Sequence, residues 1–111
     1  MIISVIGSGG KTTYIHELKD KYVSLNKTVL MCTTTHMLIE EGTLVDPSYD
    51  EIMHRIEMYG YCHAGNRSDD SKIEGLDSKF LNQLKQVVDV ILIEADGSKH
   101  LPLKFPNVNE P

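Results

Sequence analysis

Residues 2–13 read Ile2-Ile3-Ser4-Val5-Ile6-Gly7-Ser8-Gly9-Gly10-Lys11-Thr12-Thr13. A short apolar run without alternation suits a parallel strand buried on both faces. It stops at a glycine-rich turn, and Lys-Thr then opens an amphipathic run from Tyr14. Glycines let the backbone turn its N–H groups inward, and a helix start adds the positive end of its dipole, so the arrangement suits phosphate. Lys11 is placed to reach terminal phosphates and to act in catalysis, and the Thr12 hydroxyl to help hold Mg²⁺. Gly7, Ser8, Gly9, Gly10 and Thr13 complete the cradle. The standard spacing puts glycine where Val5 stands, so this is a shortened form with its glycines bunched before the lysine. A plain flexible turn is the bland alternative. A dinucleotide fingerprint fits less well, since it needs a third glycine at Thr12 and an acid near the end of the second strand, where the chain reads Met31-Cys32-Thr33.

Downstream, Ile15, Leu18, Tyr22 and Leu25 recur at helical spacing, and Asn26-Lys27 offers a residue that tolerates the left-handed conformation past a helix end. Thr28 to Cys32 or Thr33 follows as a second apolar, β-branched strand, completing a βαβ unit. Thr33-Thr34-Thr35-His36 then falls at a carboxyl strand end, where ligands collect in open α/β sheets. Thr35 is a candidate to orient a water or an acceptor. His36 is either catalytic or a partly buried histidine bonded to backbone. Threonines that merely finish a strand and cap a turn are the competing reading.

The middle is less distinctive. Residues 37–46 read as a loop or short helix. Ser48 and Glu51 spell a capping box for a helix carrying Ile52, Met53 and Ile56 and ending at Gly60. Tyr59 to Ala64 reads as a short strand weakened by Gly60, and Gly65 to Asp70 as a polar turn or exposed loop in which Arg67 could reach a phosphate but reads better as a solvated charge. Asp77-Ser78 caps a further helix with Phe80, Leu81, Leu84, Val87 and Val88. The strand Val90-Ile91-Leu92-Ile93 follows and runs into Glu94-Ala95-Asp96-Gly97-Ser98-Lys99. An apolar strand ending in acids, downstream of Gly-Gly-Lys-Thr, resembles the strand that holds Mg²⁺ through a carboxylate. Glu94 is the first candidate for the metal, and Asp96 a second acid that could orient a water. Residues 101–111 are proline-rich and read as an extended surface tail.

Composition narrows the class. The chain has 111 residues, 41% hydrophobic and 24% charged, which suits one soluble domain over 1–111. A net charge of −5 without a Lys/Arg block argues against nucleic acid as partner. There is no apolar run of membrane-spanning length and no basic leader, so a cytoplasmic location is expected. Cys32 and Cys62 are each followed closely by a histidine, His36 and His63, but lack the paired spacing of structural zinc sites, and read as reduced core residues.

Together, Gly-Ser-Gly-Gly-Lys-Thr-Thr, Thr-Thr-Thr-His-Met and Glu-Ala-Asp-Gly-Ser-Lys with the later Leu-Pro-Leu-Lys and Glu-Pro resemble the selenium-dependent hydroxylase accessory proteins known as the YqeC family. The resemblance implies a P-loop protein serving the maturation of selenium-dependent molybdenum hydroxylases. Gly9, Gly10, Lys11 and Thr12 match the family's nucleotide loop, Thr35 and His36 its second motif, and Glu94, Asp96 and Lys99 its third. Family members are longer, so the chain resembles an N-terminal portion. The expected fold is α/β, a P-loop NTPase-like three-layer αβα arrangement with a mostly parallel, incomplete sheet. The expected ligands are Mg²⁺ and ATP or GTP, with ATP the default because Asn26-Lys27-Thr28-Val29 lacks the acid of a guanine-reading motif. A molybdenum hydroxylase or its maturation proteins are the expected partners. The expected function is NTP hydrolysis. A nucleotide-dependent switch with little turnover is one alternative, and an ATP-dependent kinase or ligase is another, because the shortened loop is also similar to that of Mur-type ligases.

Overall fold

The computed structural model describes residues 1–6, 11–95 and 108–109, excepting the side chains of residues 11, 12, 108 and 109. The apolar run forms β1 (Ile2–Ile6), and α1 (Lys11–Ser24) starts at the lysine, earlier than Tyr14. The second apolar run forms β2 (Val29–Thr33), buried along its whole length. Two short strands follow, β3 (Met37–Leu38) and β4 (Leu44–Val45), then α2 (Tyr49–Tyr59), β5 (Tyr61–Arg67), β6 (Lys72–Glu74), α3 (Ser78–Leu84), β7 (Val90–Ala95) and β8 (Val108–Asn109).

The sheet runs β3-β6-β5-β2-β7-β1-β8, with β4 attached to β5. It is mixed but mostly parallel: only β6 pairs antiparallel, with β5 and with β3. β7 lies between β1 and β2, so the strand that ends in acid is parallel neighbour to the strand that feeds the glycine stretch. Alternation divides the strands between two cores. Leu30, Cys32, Ile91 and Ile93 pack with Ile52 and Ile56 of α2 and Leu81 and Leu84 of α3. Val29, Met31, Val90 and Leu92 point the other way, onto Ile15 and Leu18 of α1. Strands with both faces covered are mostly apolar, which is why β1, β2 and β7 read as near-continuous apolar runs, with Ser4, Thr33 and Glu94 as their buried polar members.

The helix ends follow local chemistry. Ser48 accepts from the Glu51 N–H and Glu51 accepts from the Ser48 N–H, completing the capping box. Gly60 closes α2 at φ 83°, a conformation that costs side-chain-bearing residues. Asn26 takes φ 63° after α1, as expected. Leu25, expected on the buried face, is 57% exposed because α1 ends one residue before it. α3 is also shorter than its apolar spacing suggests, and Val87 lies outside it and is exposed.

Other differences concern the middle. Residues 37–46 contain β3 and β4 in place of a plain loop or short helix, because their backbone groups pair with β6 and β5. Gly65, Asn66 and Arg67 continue β5 where a turn was expected. Gly65 sits in the strand because a Cβ there would lie 2.6 Å from the Glu74 carbonyl and 2.7 Å from Ile73 Cδ1. Arg67 is exposed as expected, its guanidinium donating to the carbonyls of Asp69 and Asp70. Of the tail, Val108 and Asn109 pair with Ile3 and Ser4; residues 101–107, 110 and 111 lie outside the described residues.

Candidate functional site

The carboxyl ends of β1, β7 and β2 meet side by side. Glu94 is paired in register with Val5 on one side and Thr33 on the other, and Ala95 with Ile6. The expected metal-linked acid is therefore held between the strand leading to the glycine stretch and the strand leading to the threonine tract. Glu94 is only 7% exposed. β1 ends at Ile6 and α1 begins at Lys11, so only residues 7–10 separate the end of β1 from the positive end of the helix dipole. Gly7, Ser8, Gly9, Gly10, Asp96 and Lys99 lie outside the described residues, as do the side chains of Lys11 and Thr12. Thr13 is exposed on the first turn of α1.

Thr33 organises the tract after β2. Its buried hydroxyl donates to the Glu94 carbonyl at 2.9 Å and accepts the Thr35 N–H at 3.0 Å. The Thr34 N–H reaches the same carbonyl at 3.0 Å, and the Thr35 hydroxyl lies 3.3 Å from that of Thr33. A side-chain hydroxyl bonding the N–H two residues on bends the chain sharply, and here the bend turns Thr34 and Thr35 across the end of β7. Thr35 is thus tied to the same strand end as Glu94. His36, by contrast, is exposed and not partly buried, and among the described residues its ring makes no bond to backbone. Its Nδ1 lies 3.1 Å from the Ser68 hydroxyl.

The positioning role of Thr33 and a second wall escaped the sequence reading. Thr33–His36 face Glu74, Gly75, Leu76 and Leu81 across a cavity of about 320 Å³. The wall closes because Gly75 is bare: a Cβ there would meet the Thr33 carbonyl at 2.6 Å. Since that contact is backbone and cannot swing away, Gly75→Ala should cost about 1–3 kcal/mol and displace the threonine tract. Urea denaturation gives the stability loss, and backbone amide shifts of Thr34 and Thr35 should move with it. The usable signal was the glycine before Leu76, placed where a strand ends.

The two cysteines pack in the core as expected. Burial pushes both thiols up to about 12, helped at Cys32 by the neighbouring Cys62 and opposed at Cys62 by the charge of Arg55. The imagined Cys32, His36, Cys62, His63 quartet does not assemble, since His36 is exposed and His63 points to the opposite sheet face from Cys62. Among the described residues, no group of three His, Cys, Asp or Glu is arranged to hold a metal ion.

His63 is buried, with Nδ1 2.7 Å from the Thr43 hydroxyl and 3.5 Å from Glu40 Oε1, while its buried Nε2 has no hydrogen-bond partner among the described residues. Burial lowers its pKa below the ordinary 6.5. The Glu40 charge opposes that shift, and His16 adds to it. The folded state thus favours the neutral ring, so its stabilising contribution is complete above the unfolded value and is lost as pH falls through the lower folded value. Thermal midpoints should decline as pH drops from 7.5 to 5, and His63→Gln should flatten that decline.

The fold and site define an α/β protein with a mixed eight-stranded sheet and three helices among the described residues, its candidate site at the carboxyl edge of the central strands. A family model described as "YqeC protein" matches residues 3–111, and the chain belongs to that family. It is 33% identical over 117 residues to the "Uncharacterized protein YqeC" of Escherichia coli (strain K12), covering 99% of this chain and 46% of that relative. The chain therefore spans about half the length of the curated relative it matches. No solved structure matches it. No helix among the described residues is long and apolar enough to cross a membrane.

Proposed function

We propose that the chain is a P-loop module that binds a Mg²⁺-nucleoside triphosphate and hydrolyses it. For the longer family protein, we propose service to the cytoplasmic maturation of selenium-dependent molybdenum hydroxylases. The observation that carries the nucleotide reading is the register Val5–Glu94–Thr33. It aligns the ends of the three strands that bear the Gly-Gly-Lys-Thr, Thr-Thr-Thr-His and Glu-Ala-Asp motifs. A nearly buried carboxylate and a threonine hydroxyl are hard oxygen donors, which suit Mg²⁺, so Glu94 and Thr12 are the residues that would hold it. Bound there, the ion supplies charge neutralisation to the phosphates. Lys11 and the loop N–H groups add hydrogen bonds to the β- and γ-phosphates, and Thr35, with Asp96, orients the attacking water.

Phosphate release from ATP, GTP and CTP, with Mg²⁺ and with EDTA, tests this on the present chain and on the full-length family protein. Mg²⁺-dependent release that favours one base is the expected result. Equal release with EDTA would contradict it.

The cavity beside Thr33–His36 favours a second reading, transfer to a small acceptor. Its polar wall of Thr34, Thr35, His36 and Glu74 stands over an apolar floor of Leu76 and Leu81, and it adjoins the edge where the terminal phosphate would lie. An acceptor panel yielding phosphorylated or ligated product above background hydrolysis would favour this reading over hydrolysis.

A further inference from the structure

A separate cavity of about 680 Å³ lies away from the threonine tract, between α1, the 39–43 loop and the end of α2, with Met31 and Tyr61 among its lining residues. Two histidines converge in it on one carboxylate: Glu40 Oε1 is 3.2 Å from His16 Nε2 and 3.5 Å from His63 Nδ1. The loop carrying Glu40 is pinned from within, its N–H donating to Thr43 Oγ1, which in turn meets His63.

The cations of this cavity are not equivalent. Lys19 is paired with Asp20 at 2.7 Å and lies over the Tyr61 ring at 4.4 Å. Arg55 Nη1 instead donates to the neutral Gly42 carbonyl at 2.6 Å, and its guanidinium lies 5.9 Å from the Tyr59 ring centroid. Among the described residues, the carboxylates within 4.0 Å of a basic side-chain nitrogen are Glu40, beside His16 and His63, and Asp20, beside Lys19; none lies that close to Arg55. One donor of the fork is used to hold the side chain in place, and among the described residues no carboxylate is paired with the charge, although Glu40 and Glu41 line the same cavity. A guanidinium pre-positioned in a cavity in this way is suited to a planar or tetrahedral oxyanion.

We propose that this cavity is a second small-molecule site. It would take a small hydroxylated oxyanion, with the carboxylate or phosphate group on Arg55 and a hydroxyl donating to Glu40. The site is separate from the nucleotide reading and does not depend on it. Arg55 supplies the affinity, and Glu40, hydrogen-bonded to His16 and tied through its own N–H to Thr43, supplies orientation.

Titration of isotopically labelled protein with inorganic phosphate and, separately, with tartrate tests the proposal, following the Arg55 Nε–H and the histidine ring nitrogens by NMR. Saturable shifts at Arg55 and His16 are expected with at least one probe, and the tighter of the two identifies the oxyanion class. Arg55→Gln should weaken that affinity at least tenfold. Arg67→Gln, which removes another guanidinium held by carbonyls, and Lys11→Ala should each leave it unchanged. If Arg55→Gln fails to fold, Arg55→Lys, which keeps the charge and loses the fork, should show the weakening. Shifts that never saturate with either probe, or an equal loss in Arg67→Gln, would overturn the proposal. So would binding abolished by Lys11→Ala and retained in Arg55→Gln.

Discussion

Glu94→Gln is expected to reduce Mg²⁺-dependent nucleotide hydrolysis about 100-fold or more while leaving the fold intact, the scale on which pre-organised charge in an active site acts. The residue sits in the last turnless stretch of β7, in register between Val5 and Thr33, and is 7% exposed. An amide has nearly the volume of the carboxylate, so the neighbouring strands need not move. What changes is the charge at the strand end, and with it the hard anionic oxygen that suits Mg²⁺. The backbone bonds that place the threonine tract run to the Glu94 carbonyl and survive the substitution. Phosphate release at saturating Mg²⁺, with a thermal melt on the same sample, separates the two effects. A variant that melts like the parent and keeps most of its rate would remove Glu94 from the site.

The central fold was legible because its elements carry their own signals. β1, β2 and β7 are mostly apolar runs because helices cover both of their faces, and α2 announces itself by the Ser48–Glu51 box and Gly60. The peripheral strands carry no such signal. β3, β4 and β8 are two residues long and β6 is three, too short for any alternation, and they exist only because β5, β6 and β1 offer partners. Gly65-Asn66 has turn chemistry by composition and strand geometry by context. Its glycine is set by the close approach of Glu74 and Ile73, which only the folded sheet reveals.

The site was legible as motifs and not as an arrangement. That Glu94 and Thr33 are register partners depends on β7 entering between β1 and β2, a long-range event about sixty residues away in sequence that no local pattern encodes. The bend made by Thr33 and the wall made by Gly75 belong to the same class. The cavity around Arg55 and Glu40 joins α1, a loop and α2, and nothing in their separate sequences marks it.

Lys11→Ala is expected to weaken Mg²⁺-nucleotide binding about 10- to 100-fold, since a charge-assisted hydrogen bond contributes about 1.5–3 kcal/mol. The lysine is the first of the fourteen residues of α1, a helix long enough to form without its side chain. A loss of affinity would therefore report on phosphate contact and not on folding. The dipole of α1 does not depend on the lysine side chain, so some binding should persist. Calorimetric titration of Mg²⁺-ATP into the parent chain and into Lys11→Ala tests the phosphate-loop assignment of residues 7–13 most directly. The account predicts saturable binding by the parent and at least tenfold weaker binding by the variant; equal affinities in the two proteins would contradict it.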